Sequence, residues 1–391
     1  MAANGTERSA MVVFGEDWGR HPSSTQHLVK HLMHDRQVIW VNSIGLRGPR
    51  VSLVDIRRIA HKVKAVVGAP KPVRSAVQEN ATDQTTCIEI VAPFALPLPS
   101  STLAGSINRA LLSRQIRRRM ATRRIKTPLL WVSLPTAVVV AGTLGERALI
   151  YYCGDDFGAL AGVDHAPVLL LERELVEKAD LILAASDVLA GRFPPHKTRV
   201  VPHGVDVELF TAPAARPYDL PTDRPVAGFY GTLASWIDFA LVAHAARALP
   251  EWIFLLIGAI QADVSALDRL ENVMLLGPRQ HEELPGYVQN WTVSLIPFRN
   301  TRQIHAANPL KLREYLAAGP PIVTTAFPAL APYRDLVHVA DDADGFARAI
   351  SAAARSPDLS HARRARVSGE SWAARAKEVS YALDHILDHR G

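Results

Sequence analysis

The chain has 391 residues, of which 48% are hydrophobic and 21% charged. This composition is that of a globular protein with enough apolar material for two cores, and it excludes disorder and fibrous repeats. The two cysteines, Cys87 and Cys153, are too few for a disulfide framework or a four-cysteine zinc site, so we expect a reducing compartment. The first ten residues contain no apolar signal region, which favours a cytoplasmic protein.

The net charge of +6 is divided unevenly along the chain. Residues 1–205 contain 26 Lys and Arg against 17 Asp and Glu, whereas residues 206–391 contain 18 against 21. A basic half beside a mildly acidic half indicates that the first half faces an anionic partner. Nucleic acid, anionic lipid and a phosphorylated substrate all fit this pattern.

Short apolar runs alternate with longer helical stretches throughout the chain. Many runs are continuously apolar, which is typical of strands buried on both faces of a parallel sheet. The sequence therefore predicts an α/β fold of two Rossmann-like, doubly wound domains. The predicted strands of the first half are Ala10–Phe14, Val38–Asn42, Cys87–Val91, Leu129–Leu134, Ala148–Cys153, Leu181–Ala184 and Arg199–Val201, and those of the second are Val226–Tyr230, Ile253–Ile257, Val273–Leu276, Thr292–Pro297, Ile322–Thr325 and Val337–Ala340.

A proline-rich stretch between Val205 and Pro225 predicts a stiff linker between the two domains. The predicted units are residues 1–205, residues 206–358, and a polar helical stretch at 359–391 that ends in Trp372–Leu387. Ligands of open α/β sheets bind beyond the carboxyl ends of the strands, so functional side chains are expected just after the predicted strands.

The loop after the first strand, GEDWGRHPSSTQHL, is dense in charged, aromatic and His residues, which favours a functional role. It contains Arg20 and His21, and Ser23 or Ser24 can cap the helix that follows. The free N–H groups of that helix would favour an anion. The loop is not a G-x-G-x-x-G fingerprint, so NAD binding has little support.

Two adjacent carboxylates, Asp155 and Asp156, follow the fifth predicted strand. Adjacent carboxylates repel each other, so one of them can acquire a raised pKa and serve as a general base. The pair can also hold a divalent metal, or one Asp can simply cap the next helix. Of the two, Asp156 is slightly favoured for catalysis.

Glycines follow two further strands. Gly204, after His203, would permit a sharp turn or a close approach to a ligand at the predicted hinge between the domains. Gly231 and Thr232, after the first strand of the second half, would bring backbone N–H groups near a phosphate, although this signal alone is weak.

The stretch from Arg302 to Val323 is the most informative. Asn308 suits a helix cap, Pro309 a first turn, and the predicted helix runs to Ala318. Lys311 then lies near the positive end of the helix dipole, which suits a diphosphate, and Glu314 lies one turn further, where a carboxylate suits the hydroxyls of a ribose. The alternative is an exposed Lys–Glu pair.

Two basic segments in the first half favour a membrane surface. Ser52–Val67 is amphipathic at helical spacing, and Arg114–Lys126 carries seven positive charges and no acid. The alternative is a core-facing helix with a solvated basic face. Nucleic acid is less favoured, because no recognition motif is present and few aromatic residues accompany the charges.

Four stretches, together with the two Rossmann-like halves, resemble the GT-B glycosyltransferases. They are HGVD at 203–206, the Gly-Thr turn at 231–232, LGPRQHEELPGYV at 276–288 and NPLKLREYLAAGPPIV at 308–323. The branch that they resemble assembles bacterial exopolysaccharide and teichuronic-acid-type polymers. The resemblance extends from about residue 10 to 350 and is stronger in the second half.

The resemblance implies a separate role for each part of the chain. Residues 206–358 would bind a nucleoside diphosphate sugar with UDP or GDP, residues 1–205 would bind the acceptor, and residues 359–391 would cross back to the first domain. Glu314 matches the carboxylate on the ribose, Lys311 and Asn308 match the element that faces the diphosphate, and Arg279 flanks the nucleotide. The acidic pair and the loop with Arg20, His21, Ser23 and Ser24 fall on the acceptor side.

The sequence departs from the pattern of retaining members in two places. Ala306 occupies the position of their first Glu, and Thr232–Asp238 lacks their Arg/Lys pair. Lys311, Arg302 or Arg299 would therefore meet the diphosphate, and inversion with an Asp base gains weight. Because these cations and helix N–H groups can stabilise the anionic leaving group, no metal is required.

We therefore expect a glycosyltransferase that transfers a sugar to a growing, lipid-linked glycan at the inner face of the plasma membrane. The expected partners are a nucleotide sugar, the acceptor and an anionic membrane surface, with no nucleic acid. A nucleotide-sugar 2-epimerase and a silent nucleotide-sugar-binding scaffold are the alternatives.

Overall fold

The computed structural model describes residues 8–19, 23–43, 88–93, 102–160, 163 and 165–388. The amphipathic segment Ser52–Val67 and the residues Arg20, His21 and Cys87 lie outside these ranges. Two parallel sheets organise the described part of the chain.

The first sheet has seven parallel strands in the order β3-β2-β1-β4-β5-β6-β7. Its strands are buried on both faces, except at β3 and β7 on the two edges, because helices cover both sides. The strands are β1 (Met11–Phe14), β2 (Val38–Val41), β3 (Ile88–Val91), β4 (Leu129–Val132), β5 (Ala148–Cys153), β6 (Leu181–Ala184) and β7 (Thr198–Val200). The helices of this half are α1 (Ser24–Leu32), α2 (Thr102–Thr122), α3 (His165–Lys178) and α4 (Asp187–Ala190).

The second sheet has six parallel strands in the order β10-β9-β8-β11-β12-β13. They are β8 (Val226–Tyr230), β9 (Ile253–Ile257), β10 (Val273–Leu276), β11 (Val293–Ile296), β12 (Ile322–Thr325) and β13 (His338–Ala340). The helices that follow residue 206 are α5 (Val207–Thr211), α6 (Phe239–Ala248), α7 (Leu284–Val288), α8 (Arg302–Ala306), α9 (Leu310–Ala318), α10 (Ala343–Ala353), α11 (Ser360–Val367) and α12 (Trp372–Asp388). Both orders reverse direction at the first strand, as in doubly wound folds, so the predicted α/β class is confirmed.

The proline-rich stretch after residue 205 is packed against the second half. It contains α5, whose N-cap Asp206 accepts a hydrogen bond from the backbone N–H of Leu209. Phe210 and Leu220 are buried in the core of the second sheet. The stretch is therefore anchored to the second half by its apolar side chains as well as stiffened by its prolines.

The last helix, α12, packs on the first half of the chain. It contacts α1, and Trp372, Val379 and Leu383 are buried in the same apolar cluster as strands β1 and β5. The backbone leading into α12 pairs with Val205. A Cβ at Gly204 would lie 2.8 Å from the Trp372 ring, so this position favours glycine because the helix start occupies the space.

No helix in the described ranges is long and apolar enough to cross a membrane.

Candidate active site

A cleft of about 510 Å³ lies where the carboxyl ends of the strands in the two halves face each other. The described residues that line it from the first half include Glu16, Ser23, Ser24, Ser133, Tyr152, Asp155 and His203, and those from the second include Trp236, Phe298, Gln303, Asn308 and Lys311. Parallel strands place such residues at one edge of each sheet, and the cleft brings the two edges together.

Asp155 lies in the cleft, directly after β5. The residue is exposed to solvent at the cleft surface, while the surrounding protein withdraws part of the water that would stabilise its carboxylate. This desolvation, together with the negative charges of Glu16 and Asp156, raises the pKa of Asp155 to about 6. A carboxylate of that basicity at a cleft surface is suited to general base catalysis.

Asp156 is not among the described residues that line the cleft. Its side chain is 3% exposed and accepts hydrogen bonds from Arg192 Nη1 at 2.8 Å, Arg302 Nε at 2.8 Å and the backbone N–H of Gly158 at 2.9 Å. Arg192 also binds Glu172, which accepts a hydrogen bond from Tyr151. All three donors occupy the carboxylate, so the geometry does not support the preference for Asp156 over Asp155 as the base.

Arg302 lies on α8 of the second half, and its pairing with Asp156 joins the two halves. In the ranges described, it is the one ion pair between residues 8–200 and residues 226–340. Arg302 is outside the set of described cleft-lining residues, so its predicted contact with a diphosphate has no support in this arrangement.

The start of α1 forms one wall of the cleft. Ser23 is the N-cap and accepts a hydrogen bond from the backbone N–H of Gln26. Ser24 Oγ lies 2.8 Å from His203 Nδ1, and Tyr152 Oη lies 3.2 Å from the same nitrogen. Burial, with the nearby charges of Arg313 and His27, lowers the pKa of His203 to about 3. The imidazole is therefore neutral and joins α1, β5 and the stretch before α5 at the cleft.

Lys311 reaches the cleft from α9 through space left by Gly231. Gly231 has φ +132°, and a Cβ there would lie 2.1 Å from Lys311 Cε. Burial lowers the pKa of the Lys311 ammonium, and Glu314 opposes this effect. Glycine is favoured at position 231 because a side chain there would displace Lys311, and the role of Gly231 in phosphate approach stays a prediction.

Glu314 accepts a hydrogen bond from Tyr230 Oη at 2.7 Å. Tyr315 on the same helix accepts one from the backbone N–H of Tyr230, so β8 and α9 are fixed to each other. Thr232 follows β8 and Gly231, at the carboxyl end of that strand. Lys311 and Glu314 are one turn apart on α9, as predicted, and the described lining of the cleft includes Lys311 but not Glu314.

Asn308 does not cap α9. The N-cap is Pro309, and the helix begins one residue later than predicted, at Leu310. The Asn308 amide instead donates to the carbonyl of Ala185 in the first half at 2.7 Å and accepts from Arg313. Its side chain therefore joins the two halves at the cleft. Because both ends of the amide are already hydrogen-bonded, this arrangement does not support the predicted contact with a diphosphate.

Ala306 is buried in the apolar cluster of the first sheet, and its carbonyl accepts a hydrogen bond from Ser186 at 2.7 Å. The position at which retaining members carry a Glu is thus used here to pack the second half against the first. A carboxylate at this site would be buried in apolar surroundings, which is costly without a partner.

Arg279 lies at the edge of the second half and is already paired. It donates to Asp219 at 2.7 Å and to Tyr287 Oη at 3.0 Å, and these hydrogen bonds raise its pKa. Tyr287 also donates to Asp219. The arginine is therefore held against the second half, and the described lining of the cleft does not include it.

Sequence reasoning missed several cleft residues. Glu16, Trp236, Phe298 and Gln303 all line the cleft. Glu16 carried a usable signal, because it lies two residues after the carboxyl end of β1, inside a loop that the pattern selected. The aromatic pair carried none, since Trp236 and Phe298 belong to loops that meet only in the folded chain.

Comparison with known proteins finds a family match in the second half of the chain. Residues 224–356 match the family model described as "Glycosyl transferases group 1". The match covers 133 of the 391 residues and lies in the second half of the chain. It holds β8 to β13 and α9, and therefore both Lys311 and Glu314.

One curated relative is TuaH of Bacillus subtilis, whose name describes a teichuronic acid biosynthesis glycosyltransferase. It is 31% identical over 229 residues, which are 51% of this chain and 56% of TuaH. The aligned part is thus little more than half of that relative. The enzyme class predicted from the sequence, a glycosyltransferase, agrees with the family and with this name.

Solved structures share the whole fold. Sucrose-phosphate synthase from Thermosynechococcus elongatus has a TM-score of 0.68 at 17% identity, covering 98% of this chain and all of that one. HepE from Anabaena, solved with UDP and glucose, has a TM-score of 0.65 at 13% identity over 96% of this chain and all of its own. At these identities the likeness concerns the fold, which is GT-B as the resemblance implied.

Proposed function

We propose that the chain is a glycosyltransferase that transfers a sugar from a nucleoside diphosphate sugar to a glycan acceptor, with inversion at the anomeric carbon. The observation that carries this proposal is the cleft itself, which brings Asp155 of the first half opposite Lys311, a residue within the stretch that matches the group 1 family. A base and a cation on opposite walls are the two charges that such a transfer needs.

In the proposed step, Asp155 accepts the proton of an acceptor hydroxyl while the hydroxyl oxygen attacks the anomeric carbon. The bond between that carbon and the diphosphate oxygen breaks, and the nucleoside diphosphate leaves with the electron pair. Lys311 and the N–H groups at the start of α9 stabilise its negative charge. Glu314, oriented by Tyr230, binds the ribose hydroxyls. Inversion follows from a single displacement.

The names of the relatives support the choice of substrates. HepE was solved with UDP and glucose, which favours a UDP sugar over a GDP sugar here. The name of TuaH supports a role in cell-surface polysaccharide assembly, for which a lipid-linked acceptor is expected.

The surface of α2 supports attachment to an anionic membrane. Arg109, Arg114, Arg117 and Arg118 line a groove of about 610 Å³, and Ile107 and Leu111 are exposed beside it. Arg119 and Arg123 pair with Glu89, so they contribute less positive charge. Cationic and apolar side chains on one exposed helix suit a lipid headgroup region.

Two reactions with purified protein test the proposal. Donor alone, from a panel of UDP and GDP sugars, should give at most slow hydrolysis. Donor with a lipid-linked acceptor should give a product whose linkage is inverted by NMR. Isomerised donor would favour an epimerase, no turnover with any acceptor would favour a scaffold, and a retained linkage would contradict the mechanism.

Donor affinity measured by calorimetry tests the assigned binding residues. Lys311→Ala and Glu314→Ala should each weaken binding by about 1.5–3 kcal/mol, since each removes a charge-assisted contact. Lys377→Ala, which removes an exposed lysine from α12, is the matched control and should leave the affinity unchanged. Unchanged affinity in both test variants would contradict the donor site.

A further inference from the structure

Glu16 is a second carboxylate in the cleft, on a different strand end from Asp155. It follows β1, whereas Asp155 follows β5, and β4 lies between these two strands in the sheet. Both carboxylates line the same cavity. The transfer step proposed above does not use Glu16.

The backbone of Glu16 is held in place by Trp40. The indole Nε1 donates to the Glu16 carbonyl at 3.0 Å, and Trp18 packs edge-on against the same ring at 4.7 Å. A Cβ at Gly15 would lie 2.5 Å from the Trp40 ring, so only glycine lets the loop approach this closely. The carboxylate is thereby directed from a fixed backbone.

The Glu16 carboxylate lacks a compensating cation within the described residues. Its Oε2 atom is buried and no donor in those ranges reaches it. No Lys, Arg or His of the same ranges forms an ion pair with Glu16. A buried, uncompensated oxygen acts strongly on neighbouring charges, because water does not screen it there.

We propose that Glu16 is a positioning residue of the transfer reaction, whose negative charge makes Asp155 a stronger base than an isolated aspartate. The proposal rests on the transferase function proposed above. The proton of the acceptor hydroxyl passes to Asp155, and the field of the Glu16 carboxylate holds that proton there until the product leaves.

Other titratable groups near Asp155 differ in their effect on its pKa. Asp156, its neighbour in the chain, adds negative charge, but its own charge is compensated by Arg192 and Arg302. Tyr152 and the neutral His203 carry no charge near neutral pH, and Lys311 lies on the opposite wall. Glu16 is therefore the uncompensated charge that raises the pKa of Asp155 most after the effect of burial.

The titration of Asp155 in the free, full-length protein is the decisive measurement. With carboxyl ¹³C labels, NMR should follow Asp155 in the unmodified protein, in Glu16→Gln and in the control Asp17→Asn, which removes the next carboxylate along the chain. In Glu16→Gln the midpoint should fall by about one pH unit, the size of coupling that joins two titrating sites. In Asp17→Asn it should stay unchanged, and Glu16→Asp should retain the unmodified midpoint more closely than Gln does.

An unchanged Asp155 midpoint in Glu16→Gln would overturn the proposal. A fall of equal size in Asp17→Asn would overturn it as well, because the effect would then be non-specific. The unmodified protein provides a second test that needs no variant. The chemical shift of the Glu16 carboxyl carbon should respond to the protonation of Asp155 with an inflection near pH 6. A Glu16 signal without that inflection would contradict the coupling even if Glu16→Gln fails to fold.

Kinetics separate this proposal from the function on which it rests. In an active preparation, the acidic limb of kcat/KM should move to lower pH in Glu16→Gln by the same amount as the NMR midpoint. An acidic limb that does not move would contradict the role in catalysis. Coupling by NMR without any transfer activity would contradict the proposed function alone.

Discussion

Replacing Asp156 by Asn should destabilise the protein more than it impairs catalysis directly. The side chain is buried and accepts hydrogen bonds from two arginines of different halves and from the backbone N–H of Gly158. Asparagine preserves the shape and one acceptor oxygen but removes the charge. Arg192 and Arg302 then lose their common anion.

The size of the effect follows from the exposure of the two links. The link to Arg192 joins a 3% exposed carboxylate to a side chain that is 26% exposed, and breaking such a buried pair costs ~3–5 kcal/mol. Arg192 keeps Glu172 as a partner, so the lower end applies. The link to Arg302 is worth at most about 1 kcal/mol, because that side chain is 68% exposed. We therefore expect a loss of about 3 kcal/mol.

Urea denaturation followed by circular dichroism measures this loss, and two variants serve as controls. Arg302→Gln breaks only the exposed link and should cost at most about 1 kcal/mol. Asp155→Asn removes a carboxylate whose pKa of about 6 lies above the usual 3.8. The unmodified protein should therefore lose stability as the pH rises from about 3.8 to 6, and the Asn variant should lack this loss. Turnover should fall by ~10²–10⁴-fold in Asp155→Asn.

One result would refute this reasoning. If Asp156→Asn unfolds at the same urea concentration as the unmodified protein and yet loses turnover, while Asp155→Asn stays active, then Asp156 is the base. The interpretation of its arginine contacts as structural would then be wrong.

Three further predictions concern other parts of the molecule. Gly231→Ala, with its Cβ 2.1 Å from Lys311 Cε at φ +132°, should cost ~1–3 kcal/mol of stability and lower the donor affinity measured by calorimetry. Gly277→Ala is the control and should do neither, because no atom of the described residues lies within 4 Å of the added Cβ. Burial holds the pKa of His203 at about 3, below the 6.5 of the unfolded chain, so thermal stability should decline as the pH falls below about 6.5. His203→Asn should make that decline less steep. A melting temperature that is constant between about pH 8 and 4.5 would contradict this prediction. Binding to anionic vesicles, measured by sedimentation, should weaken by ~1 kcal/mol for each removed charge when Arg114 and Arg118 are changed to Glu. The same change at the exposed Arg348 and Arg355 of the second half is the control and should leave binding unchanged. Equal recovery with neutral vesicles would contradict attachment to an anionic membrane surface.

The sequence by itself determined the elements and the class of fold. Runs such as Met11–Phe14 and Ile253–Ile257 are continuously apolar, and only strands covered on both faces by helices bury such runs completely. The helix that carries Lys311 and Glu314 could also be predicted, because a proline before it and Gly319 after it are local signals of helix ends. The resemblance carried by residues 308–323 led to the family that residues 224–356 match.

Only the tertiary structure decided which of two adjacent aspartates lies in the cleft. Asp155 and Asp156 have the same local context. They differ because Arg192 and Arg302, 36 and 146 residues away in the chain, bind Asp156 rather than Asp155. The helix-cap prediction for Asn308 was wrong because it used only neighbouring residues. The actual partner of its side-chain amide, the carbonyl of Ala185, is 123 residues away in the chain. Helix and strand signals arise from neighbours within a few residues, whereas the direction of a polar side chain at an interface is set by partners that meet only when the two halves pack together.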